Sequence, residues 1–230
     1  MIYVTGDTHG NIDIGKLSRS NLLTQGIEPG EGDYLVICGD FGLVFSPEGT
    51  AEEHWWLSWL DEKPWTTLFV DGNHENFARL NALPEERWHG GRVHRVSDRV
   101  LHLMRGQLFE IEGKRFFTFG GAMSHDRQFR REGRSWWPEE MPSDDEMKRG
   151  QETLDACGRR VDCVLTHCAP TLVQGRISPV FLPDRATEYL QHVRDTTQFA
   201  HWYFGHYHVD ADFADGFHAL YERVIPLELP

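Results

Sequence analysis

The sequence has no long apolar run and only four cysteines. No stretch approaches the roughly 20 apolar residues that a membrane-spanning helix needs, so we expect no membrane segment. The cysteines lack the CxxC spacing of metal and redox motifs. We interpret them as reduced thiols, with Cys38 and Cys163 as small core residues on strands, which favours a cytoplasmic protein.

Basic residues are also scarce, since 23 Lys and Arg face 36 Asp and Glu and leave a formal charge of −13. An acidic surface argues against an extended nucleic-acid track, because such binding depends on Lys and Arg that neutralise phosphates. Bound divalent ions would nevertheless make one pocket locally positive. A small phosphorylated ligand therefore remains compatible with the composition.

The remaining composition is ordinary for a globular protein, with 230 residues, 40% hydrophobic and 26% charged. No internal repeat, low-complexity segment or flexible linker divides the chain. We therefore predict one domain over residues 1–230. A secretory leader is not expected, because the first motif described below begins already at Gly6.

The first part of the chain alternates apolar, β-branched runs with amphipathic segments. The pattern predicts strands at 2–5, 34–38 and 66–70, and helices at 12–23, 52–60 and about 75–83. This βαβαβα order predicts a parallel sheet with right-handed crossovers. Ligands collect beyond the carboxyl ends of such strands, which is where Asp7, Asp40 and Asn73 fall.

After Gly91 the pattern changes to short strands separated by glycine-containing turns. Runs at 100–104, 107–111 and 115–119 predict an antiparallel meander. A stretch at about 122–142 is rich in Arg, Trp, Glu and Pro, lacks periodicity and is interpreted as a long loop. Further elements are a helix from Ser143 with a capping box at Glu146, strands at 161–165 and 202–204, and closing strands from 213 to 229.

Five short motifs carry metal-binding chemistry, and most follow an apolar run. They are Gly6-Asp7-Thr8-His9-Gly10, Gly39-Asp40, Gly72-Asn73-His74-Glu75, Thr166-His167 and Gly205-His206-Tyr207-His208. Carboxylate oxygens, an amide oxygen and imidazole nitrogens form a donor set that suits a pair of first-row metal ions. The predicted ligands are Asp7, His9, Asp40, Asn73, His167, His206 and His208.

The spacing of these residues supports one shared site. Asp7 and His9 lie two residues apart, so in an extended backbone both side chains point to the same side, and the same holds for His206 and His208. Asp40, at the tip of a neighbouring strand, is placed to bridge two ions with its two oxygens. Glycines precede the ligands where a side chain would crowd the converging backbones.

His74 follows a predicted ligand and points away from it if the local backbone is extended. That position suits a general acid for a leaving oxygen, or a donor that stabilises charge in the transition state.

In this order the motifs resemble the calcineurin-like metallophosphoesterase superfamily, whose pattern is D-x-H, G-D, G-N-H-[ED], an isolated H and G-H-x-H. The resemblance spans the chain from Asp7 to His208. It implies an α/β (α+β) fold of two packed mixed β-sheets flanked by helices, a four-layer α-β-β-α sandwich. It also implies that Asp7, His9, Asp40 and His208 hold one ion, that Asp40, Asn73, His167 and His206 hold the other, and that His74 is the catalytic histidine.

One motif departs from the Ser/Thr protein phosphatase branch, which continues its second block as G-D-x-V-D-R-G. Here Gly39-Asp40 is followed by Phe41-Gly42-Leu43-Val44-Phe45. The phosphate-binding Arg and the Asp that supports the catalytic histidine are missing. A protein phosphatase is therefore disfavoured, and the group that orients His74 is left open.

The predicted loop at 122–142 offers the best candidates for substrate recognition, because guanidinium groups match phosphate geometry. The candidates are Arg127, placed first, and His125, Arg130 and Arg131. Pairing of these arginines with nearby glutamates on a solvated surface is the alternative.

Tryptophans form two local groups. Trp136 and Trp137 either anchor the loop to the body of the protein, which is favoured, or stack on a base. Trp55, Trp56 and Trp59 predict the packing face of a helix.

These observations predict a metal-dependent phosphoesterase that hydrolyses phosphate mono- or diesters by attack of a hydroxide bridging two metal ions. Mixed nitrogen and oxygen ligation favours Mn or Fe, with Zn or Ni as alternatives. A phosphorylated small molecule or a nucleotide is the favoured substrate, and no protein partner is identified. The alternatives are a protein phosphatase or nuclease on the same centre, or a catalytically silent protein-binding scaffold.

Overall fold

The computed structural model describes residues 1–227. The last residues of the predicted closing strands, 228 and 229, lie outside this range. The strands are β1 (Ile2–Thr5), β2 (Tyr34–Cys38), β3 (Thr66–Val70), β4 (Glu85–Trp88), β5 (Gly91–Arg95), β6 (Val100–Leu103), β7 (Gln107–Ile111), β8 (Lys114–Phe119), β9 (Cys163–Thr166), β10 (His201–Phe204), β11 (Ala211–Asp212), β12 (Phe217–Ala219) and β13 (Val224–Pro226).

Helices connect most of the parallel strands. They are α1 (Arg19–Thr24), α2 (Ala51–Asp61), α3 (Phe77–Leu80), α4 (Asp144–Ala156), α5 (Thr171–Ile177) and α6 (Arg185–Thr196), with 3₁₀ turns at Ile14–Leu17, Arg127–Phe129 and Pro138–Glu140. Within residues 1–227, no helix has the length and apolar character needed to cross a membrane.

The strands form two mixed sheets. The first has the order β13-β1-β2-β3-β6-β5-β4 and the second the order β11-β12-β10-β9-β8-β7. Neighbours from β1 to β6 in the first sheet are parallel, and so are β8, β9, β10 and β12 in the second. Antiparallel strands complete the edges of both sheets.

Alternate residues of the strands build separate apolar layers. Ile2 and Val4 of β1 pack between the two sheets, whereas Tyr3 packs beneath the helices α1, α2 and α3. In the second sheet, Trp202 packs against the helices α4, α5 and α6, whereas Tyr203 lies between the sheets. This period-two alternation produces the predicted helix–sheet–sheet–helix arrangement, because the parallel strands β1, β2, β3, β9 and β10 are buried on both faces.

The layered arrangement positions all five motifs at the carboxyl ends of parallel strands. The motifs that begin at Gly6, Gly39 and Gly72 follow the neighbouring strands β1, β2 and β3, as predicted. His167 and Gly205 directly follow β9 and β10 of the other sheet. The two sheets therefore contribute loops to one site.

Local signals predicted several elements correctly. The bounds of β1, β2 and β3 are as predicted, and α2 differs by one residue at each end. The capping box of α4 is confirmed, because Ser143 Oγ accepts the N–H of Glu146 at 3.2 Å and Glu146 Oε2 accepts the N–H of Ser143 at 2.8 Å. The loop predicted at about 122–142 holds two 3₁₀ turns and an isolated bridge between Glu132 and Trp136.

Two predicted helices are shorter than expected. The segment 12–23 divides into a 3₁₀ turn and α1, because Ser18 is extended and its hydroxyl caps the N–H of Asn21 at 3.3 Å. The segment 75–83 keeps only α3, which Asn76 caps through the N–H of Arg79.

The prediction of one antiparallel meander after Gly91 was wrong. Strand β6 pairs with β3 and β5 in the first sheet, whereas β7 and β8 form a hairpin in the second. The chain changes sheets between Leu103 and Gln107, where Gly106 adopts a φ of 69°. The hairpin β4–β5 and the helices α5 and α6 had no predicted counterpart.

A close helix contact at Gly150 makes the packing of α4 testable. An added Cβ at this position would lie 2.2 Å from the hydroxyl oxygen of buried Tyr189. We expect Gly150→Ala to lower the free energy of unfolding by about 1–2 kcal/mol, because Tyr189 must move within the core. Urea denaturation measures this change.

The matched control is Gly175→Ala in α5, where nothing lies within 4 Å of the added Cβ. Alanine favours a helix over glycine by up to about 1 kcal/mol, so this variant should be at least as stable as the wild type. Equal stability of the two variants would contradict the close contact.

Candidate metal centre

Two buried carboxylates, Asp7 and Asp40, occupy the centre of the candidate site. His208 Nε2 lies 3.1 Å from Asp7 Oδ2, and His9 Nε2 lies 3.3 Å from Asp40 Oδ2. His167 Nε2 lies 3.3 Å from Asp40 Oδ1. Imidazole nitrogens from three separate loops therefore face the two carboxylates.

Asn73 and His206 complete the cluster of predicted ligands. Asn73 Oδ1 lies 3.1 Å from His167 Nε2, and the rings of His206 and His167 are 4.9 Å apart. Donor atoms lie within 4.8 Å of one another in three sets, which are Asp7, His9 and His208; His9, Asp40 and His74; and Asp7, Asp40 and His167. The structure thus brings all seven predicted ligands together.

Left-handed backbone conformations direct four of these residues into the site. His9, Asp40, His206 and His208 have φ angles of 43°, 46°, 69° and 49°. Non-glycine residues rarely adopt this region, and each such residue costs about 1–3 kcal/mol. The expectation of extended alternation at Asp7 and His9, and at the C-terminal histidine pair, was wrong, because tight turns place these side chains.

Glycines before the ligands permit the close approach of the loops, as predicted. A Cβ at Gly72 would lie 2.1 Å from Asp40 Oδ1, and one at Gly205 would lie 2.1 Å from Asp7 Oδ1. Any side chain at either position would displace a central carboxylate.

Backbone N–H groups hold both carboxylates in place. The N–H groups of Asn73 and His74 each donate to Asp40 Oδ1 at 2.8 Å. The N–H of His206 donates to Asp7 Oδ1 at 2.9 Å. Each carboxylate is therefore tied to a neighbouring motif, and Oδ2 of each faces a histidine nitrogen.

Partners at Nδ1 orient two of the rings. His9 Nδ1 lies 2.7 Å from Asp13 Oδ2, and His167 Nδ1 lies 2.8 Å from the carbonyl oxygen of Cys38. These contacts leave Nε2 of both rings facing the carboxylates, the usual arrangement of ligating histidines. Sequence reasoning missed both partners, and only the spacing of four residues between His9 and Asp13 could have indicated one of them.

The carboxylates and histidines of the cluster shift one another's pKa values. Burial alone would raise the pKa of Asp40, but His167 and His9 hold it well below its usual range. Burial opposes protonation of the two histidines, yet Asp40 and Asp7 raise the pKa of His167 to about 10 and that of His9 to about 9. Burial and the neighbouring His167 lower the pKa of His206 to about 3.

This donor set fits divalent metal ions. The seven side chains include no Lys or Arg, so protons on histidine are their positive charges, and a metal ion can replace such protons. His167 Nε2 faces only acceptor atoms, namely Asp40 Oδ1 and Asn73 Oδ1. A cation at this position would satisfy all three groups.

Two further residues, absent from the sequence-based prediction, tie the site loops together. Glu75 is buried and accepts the N–H groups of Phe41 at 2.7 Å and Gly72 at 2.8 Å, which links the loops after β2 and β3. Lys16 donates to the carbonyl of Asp7 at 2.5 Å and also to that of Tyr221. Glu75 stands at the acidic position of the third motif, which was a usable signal.

Arg130 accounts for the orientation of His74. One guanidinium nitrogen lies 2.9 Å from His74 Nε2 and another lies 3.4 Å from Nδ1, while Arg130 Nε lies 2.8 Å from Asp126 Oδ1. Burial and this guanidinium lower the pKa of His74 against the opposing effect of Asp40. The group that orients His74, left open by the sequence, is therefore a cation from the loop at 122–142.

A cavity of about 200 Å³ opens over the centre. Of the predicted substrate-binding residues, His125 and Arg130 line it. Arg127, which was placed first, and Arg131 are exposed and do not line it. Trp137 is buried and its ring lies 5.9 Å from that of Phe45, which agrees with the anchoring interpretation.

Comparisons with known proteins agree with this geometry. A family model described as calcineurin-like phosphoesterase matches residues 1–210. The human lariat debranching enzyme is 28% identical over 138 residues, which cover 54% of this chain and 24% of that enzyme.

A solved structure of a Staphylococcus aureus protein, described as a 5′-nucleotidase in complex with alpha-ketoglutarate, aligns with a TM-score of 0.47 and 14% identity. The alignment covers 96% of this chain and 48% of that chain. The matched segments thus span less than half of the length of each of these two relatives.

Lys16 provides a test of how the site loops are held. We expect Lys16→Met to lower the free energy of unfolding by about 1–3 kcal/mol, because buried carbonyl oxygens lose their donor. The control is Lys148→Met, whose side chain is 75% exposed, and it should change stability by less than about 0.5 kcal/mol. Denaturant unfolding of both variants measures these free energies. A Lys16→Met variant as stable as the wild type would refute the role of Lys16 in holding the loops.

Proposed function

Because the chain belongs to the calcineurin-like phosphoesterase family, we propose that it hydrolyses phosphate esters at the candidate metal centre. The convergence of five metal-donor side chains on the buried Asp7 and Asp40 carries this proposal. These side chains lie on loops that follow strands of both sheets, so the site forms only in the folded protein.

We assign the seven side chains to two divalent ions. Asp7, His9, Asp40 and His208 would hold one ion, and Asp40, Asn73, His167 and His206 would hold the other. Asp40 is the shared ligand, because its two oxygens face different histidines, each at 3.3 Å. Mn or Fe is favoured, with Zn or Ni as alternatives. Bound ions would polarise the phosphate and lower the pKa of a water molecule.

The chain itself contributes substrate orientation and charge stabilisation. Arg130 lines the cavity and can pair with phosphate oxygens through its guanidinium group. His74 lies between Arg130 and Asp40, with Nε2 at 3.9 Å from Asp40 Oδ2. Because Arg130 can only donate, it would turn from His74 Nε2 to the phosphate, and the protonated Nε2 could then donate a hydrogen bond to the leaving oxygen.

A small phosphate ester or nucleotide is the favoured substrate. The cavity over the centre holds about 200 Å³, and among the described residues that line it Arg130 is the one Arg or Lys. With a formal charge of −13, the surface disfavours long polyanions.

We further propose that residues 1–230 form one domain and that the protein is cytoplasmic.

Hydrolysis of a generic aryl phosphate and a diaryl phosphate with added Mn²⁺ tests the proposed function. Turnover by the wild type should fall by about 100-fold or more in His74→Ala, with metal content unchanged. His192→Ala in α6 is the control, because His192 is exposed outside the site. Metal binding without turnover on a broad panel of phosphate esters would instead favour the scaffold alternative.

The shared role of Asp40 gives a prediction about metal content. Asp40→Asn should reduce occupancy of both metal positions, because a neutral amide bridges poorly, whereas His9→Ala should chiefly reduce one. Elemental analysis of the reconstituted proteins measures ions per chain. Equal metal content in both variants and the wild type would refute the bridging assignment, and no bound transition metal in the wild type would refute the centre itself.

A further inference from the structure

We infer that a second cavity beside His74 binds the leaving group of the ester, and that this group is uncharged and about the size of one or two rings. The inference rests on the proposed function, because it specifies which esters the same site cleaves.

The second cavity is larger than the one over the metal centre and has a different character. It holds about 350 Å³, against about 200 Å³. Its walls come from the loops after β1 and β2 and from α2, and Ile12, Leu43, Phe45 and Trp56 supply its apolar side chains. Cavities of roughly 300 Å³ and above accommodate small organic ligands.

His74 lines both cavities and therefore separates them. On one side lie Arg130 and four of the candidate metal ligands, Asp40, Asn73, His206 and His208, which suit a phosphate. On the other side the ring of Phe45 lies 6.4 Å from the ring of His74. An ester whose phosphate occupies the first cavity can extend its leaving group past His74 into the second, which places the leaving oxygen beside this histidine.

The charges of the second cavity select against anionic groups. Among the described residues that line it, none is Lys or Arg, and apart from His9 and His74 beside the metal centre its titratable residues are Glu52 and Glu53. Burial opposes ionisation of Glu53, but hydrogen bonds from Ser46 and the guanidinium of Arg79 lower its pKa. Arg79 neutralises Glu53 at 2.9 Å, and Glu52 then leaves the wall negative. A carboxylate or second phosphate would be repelled.

The apolar wall is held in place before any ligand binds. Glu53 Oε1 accepts the N–H groups of Phe45 at 3.0 Å and Ser46 at 2.7 Å. Asn11 Nδ2 donates to Glu52 Oε1 at 2.7 Å and joins the loop after β1 to α2. A cavity with fixed walls binds an apolar ring with little loss of conformational freedom.

Three alkyl phosphates test the inference with the Mn²⁺-loaded protein. They are benzyl phosphate, 4-carboxybenzyl phosphate and ethyl phosphate, which share an alkoxide leaving group and differ in size or charge. We expect kcat/KM for benzyl phosphate to exceed that for ethyl phosphate by about 10- to 100-fold, because an apolar pocket discriminates by this order. The carboxybenzyl ester should be cleaved at least about tenfold less efficiently than the benzyl ester.

Two variants on α2 assign this preference to the cavity. Trp56→Ala should lower the benzyl-to-ethyl ratio of kcat/KM towards one. Trp55→Ala is the control, because Trp55 is 58% exposed, does not line the cavity and should keep the ratio. Equal kcat/KM for benzyl and ethyl phosphate in the wild type would overturn the inference while leaving the proposed function intact.

A binding measurement without metal separates the two hypotheses further. Benzyl alcohol is titrated while the indole N–H signal of Trp56 is followed by NMR, with the signal assigned from its loss in Trp56→Ala. A saturable shift of this signal supports the cavity, and no shift overturns it. Failure of every ester to react would refute the proposed function, whereas this titration decides on the cavity independently.

Discussion

The burial of two carboxylates, Asp7 and Asp40, is the electrostatic constraint on which the site depends. An unpaired buried charge costs several kcal/mol, so each oxygen needs a donor or a cation. The donors come from distant segments of the chain. The N–H of His206 donates to Asp7, and the N–H groups of Asn73 and His74 donate to Asp40. These hydrogen bonds form only when loops from both sheets lie side by side. The site therefore depends on the packing of the two sheets.

The same constraint explains where the backbone is strained. His9, Asp40, His206 and His208 adopt left-handed conformations, and all four carry candidate ligands. A strained residue persists only where its surroundings determine its conformation. Here the parallel strands supply that support, since each turn follows a strand buried on both faces. The layered core offsets the cost of conformations that aim side chains at a common centre.

The sequence predicted features that depend on local patterns. Strand bounds near β1 to β3 and the capping box at Ser143 follow from periodicity and from contacts three residues apart. The change of sheet near Gly106 was missed, because it depends on the pairing of β6 with β3, a contact between segments distant in the sequence. The sequence also ranked Arg127 above Arg130. Arg127 is exposed, whereas Arg130 contacts His74. Neither contact leaves a periodic signal, whereas the ordered motifs were enough to predict which side chains the structure brings together.

His74 marks a boundary between two chemically different surfaces, and this division resolves the mismatch between an acidic protein and an anionic substrate. Arg130 and four of the candidate metal ligands, Asp40, Asn73, His206 and His208, line one side. The other side presents Phe45, Trp56 and acidic side chains, which favour a neutral group. A phosphate monoester has this asymmetry, with its charge at one end and its organic group at the other. The formal charge of the whole chain therefore says little about this site, where local charge would orient the proposed substrate.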